Sequence, residues 1–286
     1  MNIGSARACR RSLRSRAGNL LLALLLLLLV AICIYPFIHM VLVSLMGAKS
    51  MKLSWDRLLH AQWTLKNYRR ILSGSGSYLR YTLNTVLLAL YSCALTCAVS
   101  SMAAYAFAKK KMRGGNRLFV LYLATMMVPE QVILIPTFLI IKNMGLLNTY
   151  TGLTLPTVTA FGTVLVTSFM KNVPNELLEA ADIDGCGEFR KFVKIVLPMI
   201  RPVMISLFIF TFIGVWGSLI WPLVAATNND MTTITLAVSK MKSGRSATDY
   251  GYVMAGNTVA FLPPFLLYLF LQRQFVEGIA LSGIKA

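Results

Sequence analysis

Charge is what this chain has least of. Only 13% of its 286 residues are Asp, Glu, Lys or Arg and 57% are hydrophobic, for a mean hydropathy of +0.67, whereas soluble domains carry about a quarter charged residues. A water-soluble fold would lack the polar groups to cover itself, so the bilayer is the first solvent to test. Acids are scarcer still, 10 against 28 Lys and Arg. With two His and no paired carboxylates, a catalytic cluster for a membrane enzyme is missing. No G-x-x-x-x-G-K-[ST] occurs, so the chain cannot cradle ATP by that route and any energy comes from another chain. Cysteines are few: Cys33, Cys93 and Cys97 fall in apolar runs, Cys9 and Cys186 outside them. Cys93-x-x-x-Cys97 has helical spacing but no two further ligands nearby, so the cysteines read as small packing residues, with no disulfide, no metal and no cofactor.

What the chain has is apolar length. Runs at 20–46, 82–108, 118–141, 152–170, 203–226 and 252–271 contain Glu130 as their only Asp, Glu, Lys or Arg. Each approaches or exceeds the ~20 residues that cross the hydrocarbon at 1.5 Å per residue. The runs are continuous blocks such as Leu20–Val30, without the alternation of barrel strands. The expected fold class is therefore an all-α membrane protein with six transmembrane helices. Arg10, Arg11, Arg14 and Arg16 before Leu20 also suit a secretory signal, but the apolar stretch continues to Met46, longer than a signal core. The expected organisation is a basic tail 1–19, a first span 20–46, an outer loop 47–81, a core of five spans over 82–271, and a tail 272–286.

A net charge of +18 could mark a nucleic-acid binder, but the basic residues sit in the connections. With both termini inside, the inner segments carry 17 of the 28 Lys and Arg and the outer ones 11. That bias places both termini in the cytoplasm, most sharply through Lys109-Lys110-Lys111-Met112-Arg113. The charge reads as orientation, with lipid rather than nucleic acid as the partner.

The longest interior hydrophilic stretch, 171–198, reads as helix, turn, helix. Pro174 suits a first turn, Glu176 and Glu179 suit the positive helix end, and Gly185 suits a left-handed cap. Phe189, Phe192, Val193 and Val196 then form one apolar stripe, with Glu188, Arg190, Lys191 and Lys194 elsewhere. Such a pair at the inner face lies on lipid or docks into a protein groove.

Glu179-Ala180-Ala181-x-x-x-Gly185, followed by Ile195-x-Leu197-Pro198, resembles the E-A-A loop of bacterial binding-protein-dependent ABC importer permeases. Thr64-Leu65-Lys66-Asn67-Tyr68, Ile135-Pro136, Gly145-Leu146-Leu147-Asn148-Thr149-Tyr150, Trp216 with Trp221-Pro222, and Gln272-Arg273-x-Phe275-Val276-x-Gly278 resemble the carbohydrate branch, particularly the smaller maltose-type subunit. Where that branch often has Trp-Asn, this chain has Trp216-Gly217-Ser218. The resemblance covers about residues 20–286 and implies a type I ABC importer permease fold in the bacterial inner membrane. It implies a non-catalytic subunit whose segment 174–198 is a cytoplasmic coupling helix, using Glu179, Ala180, Ala181, Gly185, Phe189, Phe192, Ile195, Leu197 and Pro198. Its implied partners are a second homologous permease, two cytoplasmic ATPase subunits and an extracytoplasmic solute-binding protein. Phe189 and Phe192 would be anchors in the ATPase cleft.

For the solute path the candidates are Glu130, Trp216, Trp221 and Asn257. Glu130 hydrogen-bonds a solute, caps a helix broken at Pro129 or bonds a neighbouring helix; Trp216 and Trp221 stack on a sugar, or Trp221 belongs to an interfacial belt; Asn257 is equally suited to an interhelical bond. The 227–251 loop, with Asn228, Asn229 and Asp230, is a linker or, by the resemblance, a contact for the binding protein. The spans hold no Lys or Arg, so a neutral sugar or oligosaccharide is expected, with glycerol phosphate or another polyol-type solute as the alternative. An ion-driven secondary transporter would show intramembrane acid pairs and inverted repeats, which are not evident.

Overall fold

The computed structural model describes residues 3–47, 60, 63–73, 78–110, 112–243 and 249–283, with backbone alone for 3–17, 243 and 273–283. Much of the expected 47–81 loop, part of the 227–251 loop and the end of the 272–286 tail lie outside the described residues. Those described are helical and irregular, save one isolated antiparallel bridge between Met46 and Trp63. The chain divides into two compact units, 1–71 with 245–258, and 72–244 with 259–286.

In the first unit, α1 (Ile3–Ser44) carries a 27-residue apolar stretch from Gly18 to Ser44, about 40 Å at 1.5 Å per residue. Leucines from Leu20 to Leu29 are 55–68% exposed; such a surface is excluded from water and at home in hydrocarbon. The last carbonyls of a helix have no internal donors, and here α2 (Lys66–Ser73) supplies them. Asn67 Nδ2 donates to the Ser44 and Met46 carbonyls at 2.9 and 3.0 Å, and the Ser44 and Tyr68 hydroxyls meet at 2.5 Å. The Thr64–Tyr68 stretch is thus a cap for α1. Arg70 pairs with Asp249 at 3.0 Å and lies over the Tyr252 ring at 4.1 Å, tying α2 to the start of α13 (Tyr250–Gly283).

The second unit is organised around α3 (Tyr78–Lys109), a 32-residue helix packed mainly against α7 (Ala160–Met170) and α10 (Arg201–Gly217). Its contact face is small and weakly polar: Ala89, Ser92, Cys93, Thr96, Ser100 and Ala104 are all buried. Small residues let backbones approach where lipid offers no hydrophobic drive between helices. A Cβ at Gly162 would run into Ser100, so that glycine sets the closeness of α3 and α7. Cys93 donates to the Phe208 carbonyl at 3.4 Å and Cys97 packs against the core, both as free thiols.

Three of the expected continuous spans are broken. Run 118–141 is α4 (Gly115–Thr125) and α5 (Glu130–Asn143), bent by 99°. Pro129, which lacks an N–H and disfavours helix in the residue before it, is extended at φ −60°, ψ 138°. Run 152–170 is α6 (Tyr150–Thr157) and α7, bent by 53°. Run 203–226 is α10 and α11 (Ile220–Ala225), interrupted at Ser218 with φ −63°, ψ 126°. A third bend, of 79°, separates α9 (Glu188–Met199) from α10; α8 (Asn175–Ile183) precedes α9, and α12 (Ile234–Ser243) follows α11. Among the described residues three helices are each long and apolar enough to cross a membrane, and there are up to six spans if each bent pair counts as one.

Candidate functional site

The breaks meet at one place. A cavity of about 480 Å³ is lined by Glu130, Thr159 and Ser218 from the three interrupted runs, together with Thr96, Thr137 and Trp221. Non-helical backbone at membrane depth is tolerated only where protein or a cavity covers it, which explains why the interruptions converge. The lining contains one carboxylate, several hydroxyls, and no Lys or Arg. Thr96 is only 3% exposed, and both its hydroxyl and the buried indole N–H of Trp221 lack any intramolecular partner. Unpaired buried donors are rare in folded proteins, and these two belong to side chains that line the cavity.

Of the four sequence candidates for a path, the structure brings two into this cavity, Glu130 and Trp221. Trp216 is elsewhere: it is 4% exposed, its indole donates to the Ala260 carbonyl at 2.9 Å, and its ring stacks on Phe212 at 5.5 Å. It is a core residue, unavailable to stack on a sugar. Asn257 is satisfied within its own helix, donating to the Val253 carbonyl at 3.0 Å. The Thr157–Thr159 pair, a polar feature of the fourth run suited to interhelical bonds, also lies in the lining, whereas the hydroxyls of Thr96, Thr137, Thr211 and Ser218 carry no periodic signature of their own.

The exposed loop bearing Asn228, Asn229 and Asp230 is latched to its surroundings. Asn228 caps a short 3₁₀ turn by accepting from Met231 N–H at 3.1 Å, and Asp230 pairs with Arg80 at 2.9 Å. Asn84 donates to the Asp230 carbonyl at 2.6 Å and accepts from the Tyr150 hydroxyl at 3.2 Å. Asn148, at φ 58°, donates from its backbone N–H to the Ala225 carbonyl at 3.1 Å and accepts from Asn228 N–H at 2.9 Å. The Gly145–Tyr150 stretch is therefore a turn that fastens this loop.

The 174–198 segment opens as a helix closed at Gly185, with Pro174 one position before the first turn expected for it. Pro174 precedes α8 in an extended conformation, and Gly185 closes it at φ 73°. Cys186 N–H reaches the Ala181 carbonyl at 2.9 Å and Gly185 N–H the Asp182 carbonyl at 3.0 Å, the paired bonds of a Schellman cap. The single apolar stripe expected on the second helix does not hold. A π-turn spans Phe192–Val196; Phe192 and Val196 are 8% and 0% exposed, while Phe189 and Val193 are 76% and 39% exposed. Phe192 packs on Tyr105 at 5.4 Å between ring centres, so it anchors the segment to its own bundle instead of a partner. Ile195 and Leu197 also pack against that core, and Leu197 and Pro198 line an apolar cavity of about 680 Å³. Ala181 is buried; Glu179, Ala180 and Gly185 remain on the outer face with Ile183 at 88% exposure.

Lys191, which the sequence places off the apolar stripe, is 3% exposed. Its ammonium donates to Asp182 at 2.5 Å and Glu188 at 2.7 Å. Glu188 also accepts from the Tyr105 hydroxyl at 2.9 Å and pairs with Lys110. Hydrogen bonds from Lys110, Lys191 and Tyr105 hold the Glu188 carboxyl down at about 2, and those to Asp182 and Glu188 hold the Lys191 ammonium well above the ordinary lysine value. Lys109 donates to the Val173 carbonyl at 2.5 Å and to Asn175 at 3.0 Å. The basic cluster read as an orientation signal thus also grips this segment.

Residues 97–280 match the family model described as binding-protein-dependent transport system inner membrane component. The chain belongs to that family. It is 38% identical over 203 residues to the lactose transport system permease protein LacG of Rhizobium radiobacter, across 71% of this chain and 74% of that one. It is also 38% identical over 183 residues to the sn-glycerol-3-phosphate transport system permease protein UgpE of Yersinia enterocolitica, across 63% and 65%. A bacterial ABC transporter involved in the import of the acidic polysaccharide alginate contains a chain of the same fold, with a TM-score of 0.81 at 20% identity over 92% of this chain and 98% of that one. The chain is a membrane component of a transport system, and members of this family are transport subunits rather than catalysts.

Proposed function

We propose that this chain is the membrane-spanning subunit of an ATP-driven importer for a neutral sugar or oligosaccharide. The observation that carries this is the convergence of three helix breaks on a cavity with hydroxyls, unpaired donors and no cation. Carbohydrate hydroxyls match such groups, and Glu130 accepts from a sugar hydroxyl while repelling an anion. The similarity to LacG supports the carbohydrate reading.

The pairs α4–α5 and α6–α7 then each count as one span and α10 with α11 as another, giving with α1, α3 and α13 six spans and two cytoplasmic termini. On that arrangement the 174–198 segment faces the cytoplasm and docks into one of two ATPase subunits through Glu179, Ala180, Ile183 and Phe189, with Gly185 setting its turn. A homologous permease completes the path, and the loop at Asn228–Asp230 meets the solute-binding protein outside.

The similarity to UgpE favours glycerol phosphate as a second substrate reading, although phosphate is commonly held by Arg or Lys. Radiolabelled uptake by cells carrying the complete importer separates the two. A neutral oligosaccharide is expected to accumulate and to be outcompeted by unlabelled neutral sugar. Uptake of sn-glycerol 3-phosphate alone would refute the neutral-sugar reading.

A further inference from the structure

The polar cluster beneath the coupling segment lies outside the cavity lining, and its residues come from two parts of the chain. Glu188 receives Tyr105 and Lys110 from the end of α3 and the segment just after it, and Lys191 from its own helix. Lys191 reaches across the Gly185 turn to Asp182, fixing α8 against α9. Lys109 holds the start of α8 through Val173 and Asn175. At 3% exposure Lys191 is no ordinary surface ion pair, and removing its partners would leave a buried charge uncompensated.

The 9-residue α8 is shorter than the ~12–15 residues at which an isolated helix becomes even marginal in water. A load applied to its outer face would deform it unless it were fastened to something longer. Its fastenings lead to α3, which is unbroken for 32 residues and carries Thr96 in the cavity wall. Thr96 lies about 14 Å along the helix from Tyr105 at 1.5 Å per residue. One rigid element thus runs from the coupling segment to the solute cavity.

We propose that Glu188 and Lys191, with Lys110 and Tyr105, lock the coupling segment to α3 and act as positioning residues that pass its movement to the cavity. This rests on the reading that the segment docks on an ATPase. The complete importer in proteoliposomes, assayed for solute imported per ATP hydrolysed, tests it. Glu188→Lys should retain the ATPase subunit on purification and continue to hydrolyse ATP, while import per ATP falls about tenfold, within the usual range of inter-site coupling. Unchanged import per ATP in Glu188→Lys overturns the lock. So does loss of the ATPase subunit in Glu188→Lys, which would make the cluster part of the docking face. Should Glu188→Lys fail to accumulate, Tyr105→Phe and Lys110→Met decide: a lowered ratio with intact ATP hydrolysis supports the lock and an unchanged ratio overturns it. Ile183→Asp with Phe189→Asp tests the underlying reading separately, since it should release the ATPase subunit; retained binding with full uptake would sink the docking role itself.

Discussion

Trp216 and Trp221 flank one break in the chain and use the same indole N–H in opposite ways. The first donates to the Ala260 carbonyl inside the core, and the second is buried beside a cavity with nothing to donate to. Trp216→Phe should therefore destabilise the purified protein by about 1–3 kcal/mol, the lost hydrogen bond plus the space left by the smaller ring, without changing the KM for uptake. Trp221→Phe removes a donor that was unpaired, so thermal stability should hold while the KM for the solute rises. Thermal unfolding in detergent and uptake kinetics on both variants check the pair, and a reversed pattern would contradict the assignment. Lys191 teaches a related lesson. On a helical wheel it shares a polar face with Arg190 and Lys194, and only the fold shows it enclosed by Asp182 and Glu188. The hint in the sequence was Glu188 three positions earlier, a spacing that on a helix brings the two side chains together.

At the scale of elements, local rules decided where helices end, and tertiary packing decided what those ends do. Pro129 and Gly185 were legible because each imposes a backbone geometry of its own. Gly185 sits at φ 73° with nothing within 4 Å of a notional Cβ, so strain rather than space excludes other residues. Gly185→Ala should cost about 1–2 kcal/mol and lower import per ATP, whereas Gly185→Asn, which tolerates the left-handed region, should retain more of it. Equal behaviour of the two variants would show that the turn is not a constraint on coupling. The interruptions at Val158–Thr159 and at Ser218 had weaker signals, because an apolar run with an occasional hydroxyl reads as continuous helix whichever side of a break it falls on. The stripe on α9 failed for a similar reason: the π-turn changes the register on which a 3.6-residue period depends.

For the whole molecule, the prediction is topological. Reporter fusions at Arg113 and after Gly185 should report the cytoplasm, and one at Asn229 the opposite side; a cytoplasmic signal at Asn229 would overturn the six-span arrangement. Apolar run length and the distribution of 28 basic residues were enough to argue for a bilayer protein and for that orientation, since transfer into hydrocarbon and retention of positive charge depend on composition over tens of residues. The E-A-A spacing was likewise sufficient to single out residues 174–198. The roles of residues within those boundaries were decided by tertiary structure alone. Phe192 turned inward and Phe189 outward, Trp216 entered the core while Trp221 reached the cavity, and two lysines of an orientation signal gripped the 174–198 segment. Sequence periodicity places a side chain on a face of its own helix, but which neighbour covers that face depends on bends of 53–99° and on contacts between residues far apart in the chain.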